Sequence, residues 1–173
     1  MALINNVMPG YTASLWMQSA ATPTILTNSQ LATWTAQVEN IVGTSAGGAG
    51  TSGIMIPVET IPPFGADDAS AAYAVAGART GAKITTQNAV TSMTITAAWN
   101  PSDTALLQIR SDGYDGDKVR TYVVAVFDGT NTVAYAFNGR IGGLQWDMNP
   151  SAEGKFTFTI HPTGGNSYGW SND

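Results

Sequence analysis

The sequence predicts a mainly β protein interrupted by one short helix and one long irregular segment. Three observations carry this: apolar and polar residues alternate at period two in several stretches, an Asp-Gly pair separates two of them, and the spacing turns helical between Asn100 and Gly113. With 173 residues and 43% hydrophobic content the chain can bury one sizeable core. A single domain over 1–173 is therefore expected, with a long inserted loop at about 43–92.

The strands are expected in the following order. Tyr11, Ala13, Leu15 and Met17 share one face of a first strand, and Thr12, Ser14, Trp16 and Gln18 share the other. Trp34, Ala36, Val38 and Asn40 alternate with Thr33, Thr35, Gln37 and Glu39, which predicts a second strand with a polar face. Met93, Ile95, Ala97 and Trp99 alternate with Thr94, Thr96 and Ala98. Residues 122–127 and 132–137 flank Asp128-Gly129-Thr130-Asn131, a hairpin signal. Phe156, Phe158 and Ile160 alternate with Lys155, Thr157 and Thr159, and Pro162, which cannot donate to a ladder, closes that strand. Phe156 and Phe158 are expected to pack toward the helix.

For the helix, Asn100 is the expected N-cap and Pro101 suits the first helical position. Asp103 would favour the positive end of the helix dipole. Ala105, Leu106 and Ile109 then form an apolar face for core packing, and Gly113 is the expected stop.

From Gly43 to Ser92 alternation weakens and Gly and Ala dominate. The segment is too low in charge to be a solvated linker, yet Ile54, Ile56, Ile61, Phe64, Tyr73 and Val75 are too sparse for a core of their own. Such a segment gains most by lying against another surface, so Ile54, Ile56, Ile61, Phe64 and Tyr73 are candidates for contact with a neighbouring subunit.

Composition narrows function. Charged residues are 11% of the chain, against about 25% in ordinary soluble domains, so the surface is largely neutral. That suits either a monomer covered in Ser, Thr, Asn and Gln or a subunit whose surface is hidden in an assembly. The net charge of -5 and scattered basic residues oppose a phosphate-gripping surface. The absence of Cys removes disulfides, thiolate metal sites and cysteine nucleophiles. No apolar run approaches a membrane span, and a soluble cytoplasmic product is expected.

The motifs that might carry chemistry do not hold up. Gly48, Gly50 and Gly53 spell GxGxxG, but Pro57 and Pro62 stand where a helix should begin. Gly165, Ser167 and Gly169 spell GxSxG, with too little chain after them for a helix and downstream partners. His161 reads as a surface histidine at a strand end rather than a general base. Asp112, Asp115 and Asp117 lack calcium-loop spacing and read as a turn. Adjacent Asp67 and Asp68 give no opposed acid and base geometry. The chain is therefore expected not to be an enzyme, with no catalytic, cofactor or metal residues and no cofactor.

In order, ASLWMQ, WTAQVENI, the long insertion, MTITAAW, the NPSDTALLQIRSDG helix, the VVAVF and VAYAFNG hairpin and KFTFTIHPTG resemble the tail tube proteins of long-tailed, lambda-type phages. The likeness runs through nearly the whole chain and is strongest from Met93 to Gly139. It implies a β-sandwich or open barrel with one packed helix, built into hexameric rings that stack as a hollow tube. No appended immunoglobulin-like domain is expected. Other partners implied are tape measure, tail terminator and distal tail proteins, in a virion tail assembled in the host cytoplasm. DNA would pass through without being bound, which requires a neutral or acidic lumen; Thr33, Thr35, Gln37, Glu39, Thr94 and Thr96 are the candidates to face it. The alternatives are a carbohydrate-binding β-sandwich, suggested by five Trp residues, and a tail joint or baseplate component that forms one ring only.

Overall fold

A computed structural model describes residues 13–31, 36–43, 52–73, 82–127, 132–149, 151–163 and 168–172. Its strands are β1 (Ala13–Gln18), β2 (Gly53–Ile56), β3 (Ala66–Tyr73), β4 (Ala82–Val90), β5 (Met93–Ala98), β6 (Val119–Phe127), β7 (Thr132–Asp147), β8 (Lys155–Pro162) and β9 (Tyr168–Asn172). Three helices accompany them: α1 (Asn28–Leu31), α2 (Ala36–Val42) and α3 (Thr104–Asp115). The mainly β expectation holds.

The main sheet is antiparallel, in the order β2-β1-β6-β7-β8-β5. Strand β7 is long enough to serve two neighbours on one edge: Val133 to Phe137 pair with β9, and Gly139 to Asp147 pair with β8. The β6–β7 pairing runs antiparallel to Phe127 opposite Thr132, as the hairpin signal predicts, and the turn at 128–131 lies outside the described residues.

One face of this sheet is covered throughout, and the other over β1, β6 and the first half of β7. On one face Leu15, Met17, Tyr122, Val124 and Phe137 join Met93, Ile95, Phe156, Phe158 and Ile160 in a core closed by Leu106 and Ile109 of α3. Phe156 and Phe158 thus pack where the alternation placed them. On the other face Trp16, Val123, Ala125, Ala134 and Ala136 meet Leu26, Leu31, Val38, Ile41 and Val42 from α1, α2 and the loop before them. The first strand was expected to be half-buried, yet both its faces are covered because α1 and α2 lie over the second.

Three sequence expectations change. The strand placed at 33–40 is a helix over its described part: Val38, Ile41 and Val42 are buried at i, i+3 and i+4, a helical stripe. Gln37 and Glu39 therefore sit on α2, and no strand face joins them; Thr33 and Thr35 lie outside the described residues. The 43–92 segment is not uniformly irregular, since it holds β2 and an antiparallel β3–β4 hairpin that forms its own two-stranded sheet. The helix begins later than expected. Asn100 instead caps a turn, its side chain accepting from the Ser102 amide and its carbonyl from the Asp103 amide. Asp103 is the N-cap, accepting from the Leu106 amide at 3.0 Å, and the helix runs past Gly113 to Gly116, whose φ of 69° only glycine adopts easily.

Candidate assembly interface

Four surfaces could meet other molecules. The first is the outward face of β5 and β8. Because Ile95, Ala97, Phe156 and Phe158 turn inward, their neighbours Thr94, Thr96, Thr157 and Thr159 must turn out. Register brings them into direct pairs: Thr94 and Thr159 hydroxyls lie 3.2 Å apart, as do those of Thr96 and Thr157. Ser92 and His161 extend the row, with the hydroxyl 3.0 Å from Nδ1. The result is a neutral hydroxyl ladder. Of the lumen candidates it holds Thr94 and Thr96; Gln37 is exposed and Glu39 half-exposed on α2, which packs on this same face of the sheet at its β1–β6 end.

The second is the edge of β5, the terminal strand of the sheet. It is only partly masked, by the Glu59 amide donating to the Thr96 carbonyl and by the Glu59–Lys155 ion pair at 3.1 Å. Unmasked strand edges invite pairing with another chain.

The third is the β3–β4 hairpin. Its strands pair from Ala66 opposite Val90 to Tyr73 opposite Ala82, apart from the main sheet. A lone two-stranded hairpin is marginal in water, so covering it would add stability. Of the residues proposed for contact with a neighbour, only Tyr73 lies on it. Ile56 is 1% exposed in the subunit's own core, and Ile54, Ile61 and Phe64 are half-buried against that core. Phe64 meets the Tyr135 ring edge-on at 5.3 Å. These side chains contribute to their own subunit's core, Ile56 wholly and the other three in part.

The fourth is a cleft of about 480 Å³ lined by Arg110, Ser111, Tyr114 and Trp146. A bulge in β7 between Gly142 and Gln145 re-aims the strand, so that Trp146 lies opposite Phe156 and Gln145 opposite Thr157. Trp146 consequently packs at a tilt against Phe156 and meets Trp99 edge-on. Gly113 completes the fit: a Cβ there would stand 2.7 Å from Leu144, so the glycine lets the helix and the bulge approach closely. Alternation alone would have turned Trp146 outward, and the sequence reading missed the bulge; Gly142-Gly143 was the signal, with Gly143 at φ 62°.

Beneath these surfaces a buried polar seam fixes the chain between β1 and α1. Arg120 is fully buried and pairs with Asp112 of α3, its Nη2 donating to Oδ1 at 3.0 Å, while its Nη1 donates to the carbonyls of Gln18 and Ala20. Asn138 accepts from the Thr121 hydroxyl and donates to the Leu26 carbonyl, each at 2.8 Å. Burial pushes the nearby Tyr122 phenol well above its usual range; the Asp112 charge adds to this and Arg120 opposes it. Asp112, which looked like a turn residue, is therefore structural. Among the described residues no group of His, Asp and Glu could hold a metal ion, and no helix is long and apolar enough to cross a membrane.

No protein-family model and no curated protein matches the chain. Solved structures do match. A sheath/tube terminator of the extracellular contractile injection system PVC, in its extended state, superposes with a TM-score of 0.62 over 99% of this chain and 99% of that one, at 11% identity. A chain of the six-fold symmetrised baseplate of the anti-feeding prophage superposes with a TM-score of 0.56 over 70% of this chain and 84% of that one, at 8% identity. The fold is thus one that this terminator and this baseplate chain share.

Proposed function

We propose that this chain is a structural subunit of a phage-tail-related particle, with an assembly role rather than a catalytic one. The carrying observation is the end-to-end likeness of fold to a sheath/tube terminator. The partly open β5 edge, the separate hairpin and the low charge support the same reading, since each suits a surface that is covered by copies of the chain or by other tail proteins.

In its finer form, the proposal is that copies form hexameric rings which stack head-to-tail into a tube, a heterologous contact that propagates. The hydroxyl ladder of Thr94, Thr96, Thr157 and Thr159 would then face the lumen, where neutral side chains leave DNA free to slide. A second reading has the chain close a single ring at a tube end or in a baseplate, and the names of both similar structures favour it. Negative-stain electron microscopy of the purified protein separates them: tubes of varied length support stacking, isolated rings support the terminating role, and dispersed monomers refute both.

A further inference from the structure

The path of the chain after β2 shows how the main sheet closes. Strands β2 and β5 stand at opposite ends of its order, and in a flat sheet at ~4.8 Å per strand they would lie about 24 Å apart. Yet the Glu59 amide, three residues past the end of β2 at Ile56, donates to the Thr96 carbonyl of β5. Three residues reach about 10 Å at most. The sheet is therefore rolled, with Leu15, Ile56, Ile95 and Phe158 on its inner face, and residues 57–65 fill the gap where a closed barrel would pair strands.

This strap cannot serve β5 as a regular strand would, because Pro57, Pro62 and Pro63 carry no N–H. Side chains hold it instead: Val58, Ile61 and Phe64 lie half-buried against the core, and Glu59 forms its exposed ion pair with Lys155. Its bond to Thr96 is 3.3 Å, long for an N–H to carbonyl contact. Gly65 ends the strap at φ 137°, with nothing within 4 Å of where a Cβ would stand, so its end has room to turn. The backbone beneath is set for a better partner. The Trp99 amide donates to the Gly154 carbonyl on the β8 side, so alternation turns the N–H and C=O groups of Thr94, Thr96 and Ala98 toward the strap.

We propose that residues 57–65 are a displaceable guard: in the free subunit they cover the β5 edge, and on assembly they swing aside at Gly65 for an extended strand of a second copy. This rests on the self-association reading above. An added strand satisfies the edge groups of Thr94, Thr96 and Ala98 in full, and its inward side chains take the places of Val58, Ile61 and Phe64. The β3–β4 hairpin, a two-stranded sheet apart from the main one, offers such a strand on every copy. Until then the guard keeps the edge from indiscriminate pairing.

The test locks and loosens the strap in the full chain. Because the chain has no Cys, Glu59→Cys with Thr96→Cys introduces a single disulfide across the contact. Sedimentation should show the oxidised form monomeric at concentrations where the wild type assembles, and reduction should restore assembly. Glu59→Lys should lower the concentration for half-assembly about threefold, the scale of an exposed ion pair, and adding Lys155→Glu should reverse this. Hydrogen exchange should show the Thr94, Thr96 and Ala98 amides gaining protection on wild-type assembly while those of Ile61 and Phe64 lose it. An oxidised form that assembles like the wild type, or strap amides equally protected in both states, overturns the guard and leaves self-association standing. Wild type and Glu59→Lys that both stay monomeric overturn the two together.

Discussion

Arg120 and Asp112 form an ion pair with both side chains at most 2% exposed, tying the last turns of α3 to the start of β6. Because Arg120 also donates to the carbonyls of Gln18 and Ala20, it holds three separate parts of the chain at one point. Replacing it with Met should cost about 3–5 kcal/mol, since Asp112 would be left as an unmatched buried charge. Chemical denaturation measures this. Adding Asp112→Leu should recover part of the loss by removing the stranded carboxylate.

The same region sets a pH dependence. The folded state holds the Tyr122 phenol in its neutral form, raised chiefly by burial. A group whose proton is held more tightly in the folded chain gives its full contribution below its unfolded pKa and loses it as pH rises beyond. The Tyr122 contribution to stability should therefore be level below about pH 10, the ordinary phenol value, and fall above it. Tyr122→Phe should flatten that fall in thermal melts taken across the alkaline range; an unchanged slope would contradict the assignment.

Gly53 tests the close approach of β2 to α2. A Cβ at this position would stand 1.8 Å from the Ile41 carbonyl oxygen, a backbone atom that cannot rotate aside. Gly53→Ala should destabilise by about 3 kcal/mol or more. Gly113→Ala should be milder, because its obstacle is the flexible Leu144 side chain and alanine favours the helix. For comparison, Phe158→Ala should cost about 3–5 kcal/mol through an emptied core site. Reversal of the order of the two glycine variants in denaturant midpoints would contradict this packing.

These features differ in how far they could be read from residues alone. Period-two alternation located β5 and β8 because one face of each is core and the other bears threonine. It misplaced 33–40, where Trp34, Ala36 and Val38 fit period two while Val38, Ile41 and Val42 fit the helix that forms. The second pattern prevails because those three side chains complete the core over Trp16. The β3–β4 hairpin was hidden by its small residues, whose alternation carries little contrast. The candidate contacts at Ile54, Ile56, Ile61 and Phe64 were chosen for apolarity, and burial within the subunit draws on the same property. Neither Asp112–Arg120 nor the cleft was legible, since each depends on distant segments meeting.

The hydroxyl ladder yields a prediction about DNA. If Thr94 faces a lumen, Thr94→Lys repeats a positive charge in every ring, and the summed attraction for phosphate grows with tube length. Assembled tubes of the variant should retain added DNA at low salt and release it as salt rises. Tubes that form but show no salt-dependent retention would move Thr94 off the lumen.

Self-association is the central claim, and native mass spectrometry of the purified wild-type chain over a range of concentrations tests it most directly. The expected species are multiples of six subunits of 18.0 kDa, growing with concentration at the expense of monomer. A single 18.0 kDa species at every concentration and salt would contradict the claim.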